Sequence, residues 1–382
     1  MKNLIVIIVI IFNNYFTFSQ INTDIIPLNI TKDSNEYHRG SMYIWNDSVV
    51  FYSDLEKLKY YKILFNNQSF ILNKLQFTNH NLDNDFGYLF ANNTNYLILS
   101  EKKLSVYSFD GKLISMKKLN IKKNGVRYYP NCFEPGFRAT LLDNNTIIFP
   151  VNFIKSYKKR NVFNKYKKAK TMAVLNIKTM AAFLFGQYDS IFYNRYLPQT
   201  NTTRFFYNDD LLLTLNYYDN MVSFWKINRL NKSISLVKSV YIKNTIDLPN
   251  QYVINDFSNK QQNRLLIESS NVNDFFYYNN YLFVLQANKD IDTTSINYSK
   301  VKSKRPPLCE IPDIQERQQW VKYFNKKVYL LKFNLQGELI SSTILDNILN
   351  ESECIYIKNE NVFITNKNSL KGNPKIFMMQ LN

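Results

Sequence analysis

The chain has 382 residues, a formal charge of +18, three cysteines and two histidines. The charge favours anionic partners and solubility and is silent on fold, while an odd cysteine count with no CxxC spacing excludes more than one internal disulfide and a cysteine metal site of ordinary spacing. Asn, Lys, Ile and Tyr are all abundant, as an AT-rich coding sequence makes them, so part of the positive charge carries no functional information.

Residues 1–19 have the layout of a secretory signal peptide: Lys2, an apolar run from Leu4 to Phe12, and the small Ser19 before Gln20. The run is about nine residues long, against roughly 20 needed to span a bilayer, which argues against a membrane anchor. No cysteine lies near the cleavage point, so lipid anchoring is not supported. The mature chain then starts at Gln20 and keeps 47 basic against 30 acidic residues, a charge of +17. For a periplasmic or extracellular protein, the partners that fit this charge are an anionic polysaccharide, a lipid phosphate or an envelope protein. Nucleic acid is not expected, nor is a cofactor, and a monomer is.

From there the pattern is short alternating runs of Tyr, Phe, Ile, Leu and Val, broken by Asn, Asp and Gly, with almost no helical periodicity. The first unit predicts strands at 42–45, 48–52, 60–65 and 70–77, and the second at 87–91, 96–100, 104–109 and 113–119. The third predicts 139–142, 146–151, 171–177 and 181–185, and the fourth 204–207, 211–217, 221–227 and 233–241. The fifth takes 274–278, 281–287, 328–335 and 339–345. The sixth has only three, at 354–358, 362–365 and 376–381. Such a unit leaves a sheet edge open, and the unassigned run 25–30 can close it as an outermost strand. Pro27 agrees, because proline lacks a donor and is tolerated at an edge.

The sharpest element is the hairpin at 104–119, read as a two-residue turn at Asp110 and Gly111. Its pattern returns at 332–345, where Gly337 stands for Gly111, Leu339, Ile340 and Ser341 for Leu113, Ile114 and Ser115, and Leu345 for Leu119. The expectation is a single all-β domain over 20–382, a six-bladed β-propeller of four-stranded blades closed by the N-terminal strand. A seven-bladed ring or a pair of β-sandwiches are the alternatives. In this hairpin pattern and blade count the chain resembles secreted bacterial six-bladed propellers of the TolB-like or NHL-like kind. That resemblance spans nearly the whole mature chain and carries no catalytic motif.

In four-stranded blades the tight turns fall on one face, while connectors and the loops between second and third strands fall on the other. The long segments at 120–138, 152–170, 186–203, 242–273 and 288–327 all belong to the second face, the expected binding face. In the connector 120–138, Arg127 and Arg138 could clamp a carboxylate or sulfate, Tyr128 and Tyr129 could offer stacking faces, and Glu134 could accept a proton or orient an arginine. The bland reading is a proline-braced loop held by its own ion pair.

Between Lys155 and Lys170 stand eight basic residues and no acid: Lys155, Lys158, Lys159, Arg160, Lys165, Lys167, Lys168 and Lys170, interleaved with Tyr157, Phe163 and Tyr166. Such a segment suits a polyanion, although most charge runs are simply solvated. In the insertion 288–327, Arg305 and Arg317 are possible donors to a central pore, and Trp320 fits a packed cap. Cys132 and Cys309 form the better disulfide pair, with a free buried thiol as the competing reading. His38 and His80, near Glu36, Asp83 and Asp85, could make an acid–base or metal group. Lone loop histidines are more often surface residues. The reading is therefore a non-enzymatic propeller that binds an anionic ligand or envelope partner. The alternative is an enzyme acting on a glycan or lactone in the central funnel, through Glu134 or an aspartate with His38 or His80.

Overall fold

The structure, a computed structural model, describes residues 25–27, 29–31, 40–46, 49–54, 58–66, 69–78, 86–130, 132, 138–153, 166–188, 203–208, 211–216, 221–228, 233–242, 271–288, 327–345, 353–358, 361–365 and 376–380. Residues 1–19, expected to be a signal peptide, lie outside them. Strands β1 (Ile25–Pro27) and β2 (Asn29–Thr31) precede a first sheet of β3 (Gly40–Asn46), β4 (Val49–Asp54), β5 (Lys59–Asn66) and β6 (Ser69–Leu75). The second sheet holds β7 (Tyr88–Ala91), β8 (Asn95–Leu99), β9 (Lys103–Ser108) and β10 (Leu113–Lys118). A hairpin of β11 (Ile121–Lys123) and β12 (Val126–Pro130) leads into the third, with β13 (Thr140–Asp143), β14 (Thr146–Asn152), β15 (Met172–Asn176) and β16 (Ala182–Phe185).

The fourth sheet is β17 (Thr203–Asn208), β18 (Leu211–Asn216), β19 (Met221–Asn228) and β20 (Ser233–Tyr241). The fifth is β21 (Asn271–Tyr278), β22 (Tyr281–Asn288), β23 (Lys327–Phe333) and β24 (Leu339–Ile344), and the sixth β25 (Glu353–Lys358), β26 (Asn361–Thr365) and β27 (Ile376–Gln380). Successive strands within each sheet pair antiparallel, giving six sheets among the described residues. This is a β-propeller-like all-β fold. First strands lie side by side: β3 against β7, β17 against β21, β21 against β25, and β25 against β3, with β14 against β17.

Burial grades across each sheet. In the second, β7 is buried at every position and β8 at Tyr96, Leu97, Ile98 and Leu99, whereas β10 is half-exposed or exposed throughout. Near-continuous apolar runs are what a strand covered on both faces requires, and alternation appears only where one face meets water. Aromatic rings bridge neighbouring sheets, with Tyr43 edge-on to Phe90 at 5.8 Å and Phe51 edge-on to Tyr96 at 5.4 Å. Burial pushes the Tyr43 hydroxyl up to about 12.

The recurring hairpin differs from its expected turn. Ser108 N–H donates to the Lys112 carbonyl and Gly111 N–H to the Ser108 carbonyl, both at 2.9 Å, so the loop is Phe109, Asp110 and Gly111. Gly111 alone has positive φ, at 82°, and Gly337 repeats it at 81° with the matching bonds from Asn334 and Gly337. This is a three-residue loop, a type I turn followed by a left-handed glycine, rather than a two-residue turn. Each glycine also meets the preceding sheet. A Cβ on Gly111 would lie 2.2 Å from the Gln76 carbonyl oxygen, and one on Gly337 2.0 Å from that of Tyr241. Thr78 N–H donates to the Gly111 carbonyl at 2.9 Å across the same seam.

The run expected to close the last sheet divides. Residues Ile25–Pro27 pair antiparallel with β27, Ile26 opposite Met378, whereas Asn29–Thr31 pair parallel with β6, Ile30 opposite Phe70. One short segment therefore covers the outer edges of the sixth and first sheets. Three of the four outer strands that no described strand covers are interrupted by a bulge, with Ile114 in β10, Val237 in β20 and Ile340 in β24 as the extra residues; the fourth, β16, is regular and only four residues long. All three bulge residues are exposed, and a bulged edge is a poor template for another chain.

Two outcomes follow from these seams. Deleting residues 20–31 uncovers two edges together, so the Tm should fall and oligomers should form with rising concentration; an unchanged Tm and a strict monomer in sedimentation would contradict it. Gly125, at φ 73° with nothing within 4 Å of an added Cβ, should lose about 1 kcal/mol on substitution by alanine. Gly337→Ala adds a backbone collision to the same strain and should lose more than about 2 kcal/mol in urea unfolding.

Candidate functional site

Each first strand begins at the end of its sheet that carries connectors and long loops. Charged residues stand at several of these ends. Arg138 lies two residues before β13, Arg204 is the second residue of β17, Asp274 is the fourth of β21, and β25 opens on Glu353. Arg138 Nη2 forms an ion pair with Asp274 Oδ2, whose other oxygen accepts the Phe275 N–H at 2.9 Å. The contact joins the third sheet to the fifth, and Arg204 stands on the sheet between them. Asp274 is 1% exposed and Arg204 5%, while Arg138 keeps 22% of its side chain in contact with water. The contact brings two guanidinium-bearing strand ends and one carboxylate to neighbouring sheets. Guanidinium is weakly hydrated and always charged, so it is the cation best suited to such burial.

The second grouping sits on the third sheet. The connector expected as a loop is a β-hairpin whose second strand adds to β14, Tyr129 opposite Asn152 and Pro130 opposite Val151. Its turn is Asn124 and Gly125, with φ of 51° and 73°, the two positive values a type I′ turn demands. Tyr128 and Tyr129 are buried rather than presented as stacking faces. The Tyr128 hydroxyl accepts the Lys170 N–H at 3.2 Å, and its ring packs at 6.4 Å from Phe153. Phe153, Tyr166 and Tyr188 pack edge-on at 5.0 to 5.8 Å. Burial holds the Tyr188 hydroxyl well above its ordinary range, with Tyr166, Tyr128 and Tyr129 adding to it. Tyr166, expected among the rings of a polyanion surface, is core.

Charged side chains surround this core. Lys122, Lys123, Arg127, Lys167 and Lys168 are exposed and Lys170 is half-buried. Lys122 and Arg127 face each other across the hairpin. Burial, and then the nearby Lys123, lowers the Lys170 pKa. Arg127 and Arg138 thus belong to two groupings, the first on the hairpin and the second bound to Asp274, and do not form one clamp. Cys132 is a free thiol, buried, donating to the Leu99 carbonyl at 2.9 Å in place of a bond to Cys309. Burial pushes its pKa far up, which keeps it a thiol rather than a reactive thiolate.

Glu134, His38, His80, Glu36, Asp83, Asp85, Arg305, Arg317, Trp320, Lys155, Lys158, Lys159, Arg160 and Lys165 lie outside the described residues. Among the described residues no group of three or more His, Cys, Asp or Glu could hold a metal ion, and no helix is long and apolar enough to cross a membrane. Lys122, Lys123, Arg204 and Asp274 were not among the sequence candidates. The Asn-Gly turn signal between Ile121 and Val126 would have found the first two, whereas Asp274 is separated from Arg138 by 136 positions.

No protein-family model and no curated protein matches the chain. Among solved structures it is similar to a member of the DUF4221 family from Bacteroides vulgatus, with a TM-score of 0.59 and 11% identity over 96% of this chain and 97% of that one. It is also similar to a Bacteroides fragilis protein named for expected export, with a TM-score of 0.54 and 11% identity over 96% and 97%. At this identity the likeness is one of fold.

The ion pair gives a stability test. Arg138→Met removes the arginine from the buried Asp274 carboxylate and should cost about 3 to 5 kcal/mol. Adding Asp274→Leu should restore much of the loss, because the buried charge goes with its partner. Equal denaturation midpoints for wild type and Arg138→Met would show that the pair holds nothing together.

Proposed function

We propose that the chain is an exported, non-enzymatic β-propeller of six four-stranded blades in a closed ring, which binds an anionic ligand through its loop-rich face. The observation that carries the binding reading is the pairing of Arg138 with the buried Asp274 beside a first strand holding the buried Arg204. It sets guanidinium groups, one of them partly exposed, at the connector end of these sheets, where a ligand oxyanion gains from charge-assisted hydrogen bonds. Support for the ring comes from β1 on β27 and from β25 beside β3, which bring the last sheet to the first. Support for export comes from the leader-like residues 1–19 and from the similar fold of the protein named for expected export.

In this reading Arg127, Arg138 and Arg305 engage the ligand, with Glu134 orienting them. The basic segment Lys155, Lys158, Lys159, Arg160, Lys165, Lys167, Lys168 and Lys170 follows a polyanion such as an acidic polysaccharide or the lipid phosphates of an envelope. The protein acts as a monomer in the periplasm or outside the cell, without a cofactor.

The test is a binding screen of the mature protein from Gln20 against anionic glycans and anionic lipid vesicles at two salt concentrations. Screening shortens from about 30 Å at 0.01 M to about 8 Å at 0.15 M, so affinity should drop clearly between them. Binding that ignores salt, or no binding to any anion, would remove the charge-based reading.

A further inference from the structure

Several stretches of the sequence lack an acidic residue, and the two richest in basic side chains lie close together along the chain. Residues 111–133 carry six basic side chains and 144–188 carry nine, and neither has an aspartate or glutamate. The fold lays the two together. The hairpin β11–β12 comes from the first stretch and adds to β14, which belongs to the second, and the backbone bond from Lys170 to the Tyr128 hydroxyl ties the start of β15 to the same hairpin.

The result is a set of like charges at close quarters. Lys122 stands directly opposite Arg127 across the strands, an arrangement that destabilises a hairpin. Lys123 lies near enough to Lys170 to help lower its pKa after burial. Lys167 and Lys168 are exposed three and two residues before Lys170. β11 ends its sheet, so its outer edge also offers backbone donors. Beneath lies the rigid aromatic core of Tyr128, Phe153, Tyr166 and Tyr188, which fixes the hairpin and leaves it little room to splay its charges. One exposed ring accompanies them: Phe183 is 47% exposed, and Lys123 Nζ sits 5.9 Å from its centroid.

We infer that the β11–β12 hairpin with Lys167, Lys168 and Lys170 forms one contact surface for an acidic polysaccharide. The inference rests on the anion-binding reading above and names its partner. A linear polymer of sugar carboxylates or sulfates supplies repeated negative charges that relieve the repulsion between Lys122 and Arg127 and between Lys123 and Lys170, and binding of that kind stabilises the fold by linkage. Phe183, stacked with Phe185 at 6.3 Å, keeps about half of its surface open beside a cation, which suits contact with a sugar ring. A membrane surface gains from inserted apolar side chains as well as from charge, and the exposed residues of the hairpin are Lys122, Lys123, Asn124, Gly125 and Arg127, which supply charge alone.

The probes are polygalacturonate, neutral dextran, and vesicles of phosphatidylglycerol mixed equally with phosphatidylcholine, measured on the mature chain at low salt. Polygalacturonate should bind and raise the Tm, and dextran should do neither. Arg127→Glu places opposite charges across the hairpin, so the free protein should keep or raise its Tm while polygalacturonate affinity drops by about tenfold or more. Lys122→Ser with Arg127→Ser should also weaken binding, and provides a second reading if the first variant misfolds. Lys178→Glu, exposed on the turn after β15, should leave affinity nearly unchanged. Salt-sensitive wild-type binding that both hairpin variants retain would overturn this surface and leave the anion-binding reading standing. No binding of wild type to polygalacturonate or vesicles would overturn both, and hairpin-dependent binding to vesicles alone would replace the polysaccharide with lipid.

Discussion

The sheets share one constraint: their inner strands pair on both sides, and in the second sheet β7 and β8 are almost wholly buried, so the unsatisfied backbone groups of the fold collect at the outer edges. An open edge is a template for another chain, and several solutions coexist here. The segment holding β1 and β2 covers two sheets, antiparallel on β27 and parallel on β6. Outer strands β10, β20 and β24 carry exposed bulge residues, and β16 is only four residues long. The left-handed glycines at 111 and 337 belong to the same scheme. Each lets the turn before an outer strand press its backbone against the end of the preceding sheet, so the sheet seams depend on a side chain being absent at two matched positions.

This explains why so much of the architecture could be read from the sequence. A strand buried on both faces must be apolar almost without interruption, and the turns between such strands must be polar and tolerant of positive φ. Runs such as 96–100 and 281–287 therefore announced themselves, and their structural counterparts Asn95–Leu99 and Tyr281–Asn288 lie within one residue of them. Turn geometry was less legible. Asp110-Gly111 favours two-residue turns in isolation, but the glycine's approach to Gln76 and the Ser108 to Lys112 bonds select a three-residue loop. The N-terminal run also looked like one strand, because nothing in residues 25–30 says that its two halves have different partners.

The candidate site was harder to read, for two physical reasons. Tyr128 and Tyr129 look alike in the sequence whether a ring faces solvent or core, and the core around Tyr128 is built from Phe153, Tyr166 and Tyr188, which come from both ends of the segment 152–170 and from beyond it. Arg138 was expected to contact a ligand, and the structure pairs it with Asp274 on another sheet. A carboxylate opening a strand carries no local sign that it will be buried. The hairpin, by contrast, was legible and was passed over: Asn124-Gly125 between Ile121 and Val126 is a stronger turn signal than the Asp110-Gly111 pair.

The distribution of charge then has a consistent logic. Where a cation is buried between sheets, at Arg138, the fold supplies an aspartate, because an uncompensated buried charge would cost several kcal/mol. Within the β11–β12 hairpin the sequence supplies no acid, and like charges oppose one another across strands held rigid by aromatic packing. Repulsion in water is small for each pair, a few tenths to about 1 kcal/mol, so the fold tolerates it. Tolerance of this kind does not itself create a site, but it leaves a surface whose free energy falls whenever an anion arrives. A mobile lysine tail would spread its charges apart and gain less, whereas here the spacing is fixed by the register of β11 on β12 and of β12 on β14. The same packing that took Tyr128 and Tyr129 away from any ligand is therefore what holds Lys122, Lys123 and Arg127 in place to meet one.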